Sequence, residues 1–204
     1  SNGLSNPASS LRARFSWYPH DVWLYILASG WARIGQEEHL MGRAGLVNDE
    51  IGSALIGARL VRDIMRLAFL MEKEYPPYAK WFRNAFSQLK SAKNLTPILT
   101  NVLPAASWKE RESHLCPAYE ILVKMHNDLK ITEPVSPEVY QFFSRPFKII
   151  GGEKLANAII ARITDPEIVP LTKRSLFGSI DVFSDNTDLL EDPSIRTKLK
   201  AIYK

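Results

Sequence analysis

Residues 46–74, LVNDEIGSALIGARLVRDIMRLAFLMEKE, decide how this chain folds. The stretch has no proline, and apolar residues recur all round a helical wheel. A helix that is apolar nearly all round belongs at the centre of a bundle. Gly52, Ser53, Ala54, Gly57 and Ala58 cluster in its first half. Such small residues let a second helix approach closely, at some cost in helix propensity. The expectation is therefore an all-α, multi-helix bundle around a long helix over about 46–74.

Working outward, Val22, Ile26, Leu27 and Ile34 recur at helical spacing and predict a helix over 21–38. Gly42 and Gly45 predict a break before the central helix. Pro76-Pro77 ends that helix, and a helix over 78–89 follows, with Trp81, Phe82 and Phe86 facing inward. Thr96-Pro97 reads as a helix start, a capping residue followed by proline at the first helical position. Ser107-Trp108-Lys109-Glu110 is a capping box opening a helix to about 129, which Pro117 would kink or divide. Further helices are expected over 136–143, over 153–163 after Gly151-Gly152, and over 194–203 after Asp192-Pro193. From 171 to 192 the pattern weakens and is read as irregular, with 179–183 extended. Residues 1–10 are small and polar and read as a linker or a remnant; 11–204 reads as one helical domain.

The chain has 204 residues, 46% of them hydrophobic, enough to hide roughly 70% of its unfolded surface. Lys plus Arg number 26 against 22 Asp plus Glu, a net charge of +4 with no long basic run, so nucleic-acid binding gains no support. The one cysteine, Cys116, cannot form an internal disulfide and fits a reducing compartment. No stretch reaches the ~18 apolar residues of a membrane span, and a cytoplasmic protein is expected.

The central helix carries the oddest feature. Arg59, Arg62, Asp63 and Arg66 stand at i, i+3, i+4 and i+7, on one face, and Asn48, about three turns earlier, continues the stripe. Charges on an apolar helix must meet water or a partner. One reading is an anion site, since guanidinium forks bind carboxylate or phosphate and Asp63 would orient one of them. The other is a solvated face or an ion-pair network between helices. A second cluster, Arg33, Gln36, Glu37, Glu38 and His39, precedes Gly42-Arg43, with Asn48, Asp49 and Glu50 beyond. Its acids suit a metal, a general base or simple helix capping. His39 lacks a second histidine where Arg43 stands, so no zinc motif results. The third patch, Tyr75-Pro76-Pro77-Tyr78-Ala79-Lys80-Trp81, either stacks and neutralises a ligand or anchors a loop. Phosphate-binding loops, GxGxxG, GxSxG and zinc spacings are absent.

These stretches resemble an uncharacterised family, domain of unknown function 4037. The likeness rests on 17–23, on Trp31-Ala32-Arg33-Ile34-Gly35-Gln36-Glu37-Glu38, on Gly42-Arg43, 48–53, 58–67 and 75–82, and on Thr132-Glu133-Pro134 and Arg145-Pro146-Phe147. The resemblance implies a two-part protein, a nucleotidyltransferase-like α/β domain followed by a helical part, of which this chain matches the second. The Gly-Ser and Asp-x-Asp metal motif of the first part is absent here. Mg and a nucleotide are implied only through pairing with such a domain; no metal ligands are assigned on this chain. The implied function is the substrate-binding half of a nucleotidyltransferase-like protein. Arg33, Gln36, Arg43, Asn48, Arg59, Arg62, Asp63, Arg66, Tyr78 and Lys80 would hold an anionic or phosphorylated ligand, with Glu37, Glu38 or Glu50 as base. The rivals are a stand-alone enzyme with a polar pocket inside the bundle, and a protein–protein interaction module.

Overall fold

A computed structural model describes residues 17–184, 189 and 192–203; the stretch read as a linker lies outside them. Among these the order is α1 (His20–Leu46), α2 (Glu50–Glu72), a 3-10 turn (Ala79–Trp81), α3 (Phe82–Phe86), α4 (Ala92–Val102), α5 (Trp108–Asp128), β1 (Tyr140–Gln141), β2 (Lys148–Ile149), α6 (Gly152–Ile160), α7 (Val169–Thr172), α8 (Ile180–Ser184), α9 (Pro193–Leu199) and a closing 3-10 turn (Lys200–Tyr203). The fold is all-α, and the two strands form only a short antiparallel ladder, Tyr140 opposite Ile149 and Gln141 opposite Lys148.

The helix read over 46–74 begins at Glu50. Asn48 takes a left-handed φ of 64°, a conformation asparagine tolerates, and Asp49 caps α2 by accepting the Gly52 N–H at 2.7 Å. α1 and α2 are thus an antiparallel hairpin, and together they form the centre. Trp31, Leu27 and Ile34 of α1 are fully buried with Leu60, Ile64 and Leu67 of α2. Each such side chain contributes about 1.5–3 kcal/mol on burial.

The break predicted at Gly42 and Gly45 does not occur; α1 runs through both. These glycines are points of close approach. A Cβ on Gly42 would lie 2.9 Å from Phe147, and one on Gly45 2.1 Å from the Trp108 ring. α6 lies against α1 backbone to backbone, a Cβ on Gly152 falling 2.5 Å from the Trp31 carbonyl.

Other expectations hold or shift for identifiable reasons. Ser107 caps α5, its Oγ accepting the Glu110 N–H at 3.3 Å, and Pro117 does not divide that helix. Asp192 caps α9 as expected, accepting from Ser194 and Ile195. α4 starts at Ala92, leaving Pro97 inside it. The helix expected over 136–143 is absent, because Phe143 sits at φ 50° and 140–149 turns back as the β ladder. The helix over 78–89 is reduced to a 3-10 turn and five residues, and Trp81 is 56% exposed, not inward. Residues 180–184 are helical where an extended segment was expected. Among the described residues no helix is long and apolar enough to cross a membrane.

Candidate functional site

The antiparallel register of α1 and α2 brings two of the sequence clusters together as a ladder of charges. Glu37 Oε2 accepts from Arg59 at 2.6 Å, and one turn away Arg33 Nε donates to Asp63 Oδ2 at 2.6 Å. One turn further, Arg66 reaches Asp181 of α8 at 3.4 Å. The pairs differ in their exposure to solvent. The Asp63 side chain is 4% exposed and Arg33 29%, whereas Asp181 is 42% exposed. Burial pushes the Asp63 carboxyl above the usual range, while Arg33, Arg62 and Arg66 pull it down.

Beside this ladder the segment 175–183 arches over both helices and leaves a cleft of about 250 Å³. Arg33, Gln36, Asp63 and Arg66 line it, with apolar walls from Ile26, Leu67 and Leu70 below and Phe177, Val182 and Phe183 above. The arch is pinned twice: by Asp181 on Arg66, and by Tyr203, whose hydroxyl donates to the Gly178 carbonyl at 2.7 Å. Gln36 and Leu176 also border a neighbouring hollow with His39, Asn157 and Arg174. Burial, then Arg43, holds the His39 ring below the ordinary histidine value.

The three acids read as bases stand in different settings. Glu38 is buried and accepts the N–H groups of Ile150 at 2.6 Å, Gly151 at 3.2 Å and Gly152 at 3.1 Å, closing the start of α6. Burial drives its carboxyl up to about 7 against those three donors. Glu50 accepts from Arg111 at 2.6 Å and from the Trp108 N–H at 3.2 Å; Arg111 also donates to Ser53 at 2.8 Å and the Ala105 carbonyl at 3.0 Å. Hydrogen bonding from Arg111 lowers the Glu50 carboxyl. Glu37, with its partner Arg59, stands on the ladder itself. Among the described residues no three His, Cys, Asp or Glu side chains stand close enough to share a metal ion. Each of these acids is engaged by an arginine or by backbone.

The structure therefore gathers Arg33, Gln36, Asp63 and Arg66 at one cleft, with Glu37 and Arg59 on its flank and Arg62 within electrostatic reach of Asp63. Arg43 and Asn48 are exposed near the α1–α2 turn and do not line the cleft, and neither do Tyr78 and Lys80. Lys80 lies over Trp81 at 5.2 Å. Sequence reasoning missed the arch and Asp181. A demand for a counter-ion to Arg66 was the one available signal, and it named no position.

The class this architecture defines is an all-helical fold with a charged cleft on a central helix hairpin. Residues 4–82 match the model of a family described as Domain of unknown function (DUF4037), to which that stretch is similar. The match takes in α1, α2 and the Glu37–Arg59 and Arg33–Asp63 pairs; Asp181 and the segments at 132–134 and 145–147 lie beyond it. No curated protein and no solved structure matches the chain.

Proposed function

We propose that the cleft beneath 175–183 holds an anionic small molecule, carboxylate or phosphate, gripped by Arg66 with Arg33 and Gln36 beside it. One observation carries this reading. Guanidinium groups from two adjacent helices line a cleft together with Gln36, Asp63, Ser29 and Ser175, against apolar walls from α1, α2 and 176–183, and beside such apolar surface a cation gains most from an anion. Arg59, 47% exposed, continues the stripe toward solvent and would draw the anion in. Of the three acids, Glu37 is the one we assign as base should the chain act on its ligand, since it stands on the flank of the cleft with Arg59, while Glu38 and Glu50 are held elsewhere by backbone and by Arg111.

A panel of nucleotides, sugar phosphates and carboxylic acids tests this by thermal stabilisation. A ligand at 100 times its Kd adds about 2.7 kcal/mol, a rise of roughly 5–10 °C for a chain this size. The rise should shrink in Arg66→Gln. An equal rise in that variant, or none with any anion, would contradict the reading.

A second reading places this helical part beside another domain. Ile51 and Leu55 are 78% and 65% exposed and lie on the same α2 face as Arg62, and Val47 in the preceding turn is 74% exposed, apolar surface of the kind that marks an interaction site. The occupant that the resemblance implies is a nucleotidyltransferase-like α/β domain, which would supply Mg and nucleotide. Such a domain added in trans should co-elute with this chain in size-exclusion chromatography, and Leu55→Glu should separate them. Separate elution of the wild-type pair would end this second reading.

A further inference from the structure

The segment that arches over the cleft is held down by few contacts. Just before it, the Arg174 N–H donates to the Leu171 carbonyl at 3.3 Å, and within α8 Val182 donates to Ser179 at 3.0 Å. Between these, the N–H groups of 175–178 reach no backbone carbonyl of the described residues. Backbone without such bonds opens locally at low cost. Phe177 is 45% and Phe183 38% exposed, so the outer side of the arch carries little packing. Gly178, at φ 76°, is buried against α1, where a Cβ on it would stand 3.5 Å from that of Ser29.

The floor beneath has partners of its own. The Ser29 hydroxyl donates to the Tyr25 carbonyl at 2.8 Å, one turn back on α1, and Asp63 accepts from Arg33 at 2.6 Å across the hairpin. Both bonds survive if 175–178 lifts, so opening strands neither group. The polar ties that opening breaks gather at Gly178 and Asp181. Burial raises the Tyr25 hydroxyl, and the N–H groups of Phe177 and Gly178 pull it down, so this oxygen lies beside the arch. The Tyr203 hydroxyl donates to the Gly178 carbonyl at 2.7 Å. The Arg66–Asp181 pair is longer, at 3.4 Å, with its acid 42% exposed, and exposed pairs contribute little.

We infer that 175–183 is a lid on the cleft and that the turn Lys200–Tyr203 is its latch, through the Tyr203 hydroxyl on the Gly178 carbonyl. The lid goes beyond the anion reading and holds whatever the cleft binds. Closed, it keeps solvent from Ser29, which is 4% exposed, and from Asp63. A ligand enters when the latch releases. Tyr203 does not line the cleft; it is a positioning residue that acts through Gly178, 25 positions earlier. Whatever displaces the turn at 200–203 therefore opens the cleft without touching its lining, which makes that turn a handle for regulation.

Amide hydrogen exchange of the full chain, followed by NMR without ligand, tests this in wild type, Tyr203→Phe and Asp181→Asn. One net hydrogen bond moves an opening equilibrium by about fivefold. The Phe177 and Gly178 amides should therefore exchange faster by that factor in Tyr203→Phe and by less in Asp181→Asn, with α1 and α2 unchanged. A thiol placed beneath the lid by Ser29→Cys reads access directly. Iodoacetamide should label it slowly, and faster in the same proportion once Tyr203→Phe is added. Unchanged exchange or unchanged labelling in Tyr203→Phe would overturn the inference. So would a rise shared equally by α1 and α2, which marks general loosening, or a larger rise in Asp181→Asn, which puts the latch on the ion pair. No arm uses a ligand, so their failure leaves the anion reading standing, and failure of every anion leaves the lid standing.

Discussion

Alanine at Gly45 sets two effects of opposite sign against each other. In an exposed helix interior the substitution stabilises by about 0.5–1 kcal/mol, because glycine loses more backbone freedom on folding. Here the new Cβ would lie 2.1, 2.2 and 2.4 Å from the Cδ1, Cγ and Cβ of Trp108. Trp108 is 6% exposed, so its ring has little room to retreat, and its backbone N–H donates to Glu50 at 3.2 Å, which holds the residue at the start of α5. Overpacking of this kind costs about 1–3 kcal/mol, and a rigid indole met this closely belongs at the upper end. The net is a destabilisation of about 2 kcal/mol, or roughly 4–8 °C in Tm for a chain of this size. Urea and thermal unfolding of wild type, Gly45→Ala, Trp108→Leu and the double variant form the assay. The double variant should be less destabilised than the two single losses together, because the smaller side chain makes room for the methyl group. A Tm that rises in Gly45→Ala would refute the claim that this glycine is a contact point and restore its reading as a helix break.

Two further predictions follow from buried titrating groups. His126 is fully buried, and Thr132, whose hydroxyl donates to the Glu133 carbonyl, accepts from its Nε2–H at 2.9 Å. Burial lowers this ring to about 4 from the ordinary 6.5. The unfolded chain thus binds the proton first, so stability is fully present above pH 6.5 and is lost as pH falls through 4, approaching about 3 kcal/mol. Urea unfolding at pH 7.5 and 4.0 should show that slope and His126→Gln should flatten it; an unchanged slope would contradict this assignment. Cys116 is pushed up to about 12, by burial and then by Glu112, so iodoacetamide at pH 8 should label it slowly in the native chain and readily in urea. Mass spectrometry showing equal rates would contradict the burial argument.

What was legible in the sequence was local. Ser107, Asp192 and Gly151-Gly152 announce helix starts within a few residues of themselves, and the structure honours each. The 3.6-residue pattern of 50–72 likewise needs no distant partner. Gly42 and Gly45 were misread because a glycine that breaks a helix and one that admits a neighbour look alike until Phe147 and Trp108 arrive from elsewhere. The helix expected over 136–143 lost to a tertiary constraint, the left-handed Phe143 and the return of 148–149. At the site, the arginine stripe was visible as a spacing on one helix, and its opposite partners on α1 fell within the cluster already noted at 33–38. The arch over 175–183 was not legible, because it has no period and its ion pair to Arg66 spans 115 positions. Glu38 was read only as one of three alternative bases, because the three backbone N–H groups it accepts from lie more than a hundred residues away.

The central claim is that anions enter the cleft between α1, α2 and 175–183. Amide chemical shifts of the uniformly labelled chain, followed by NMR during an octanoate or phosphate-ester titration, test it without altering any residue. The account predicts saturating shifts grouped at 26–36, 63–70 and 175–183, with little change at 78–80 or 43–48. Shifts spread evenly over surface lysines, or confined to segments outside the cleft, would contradict it.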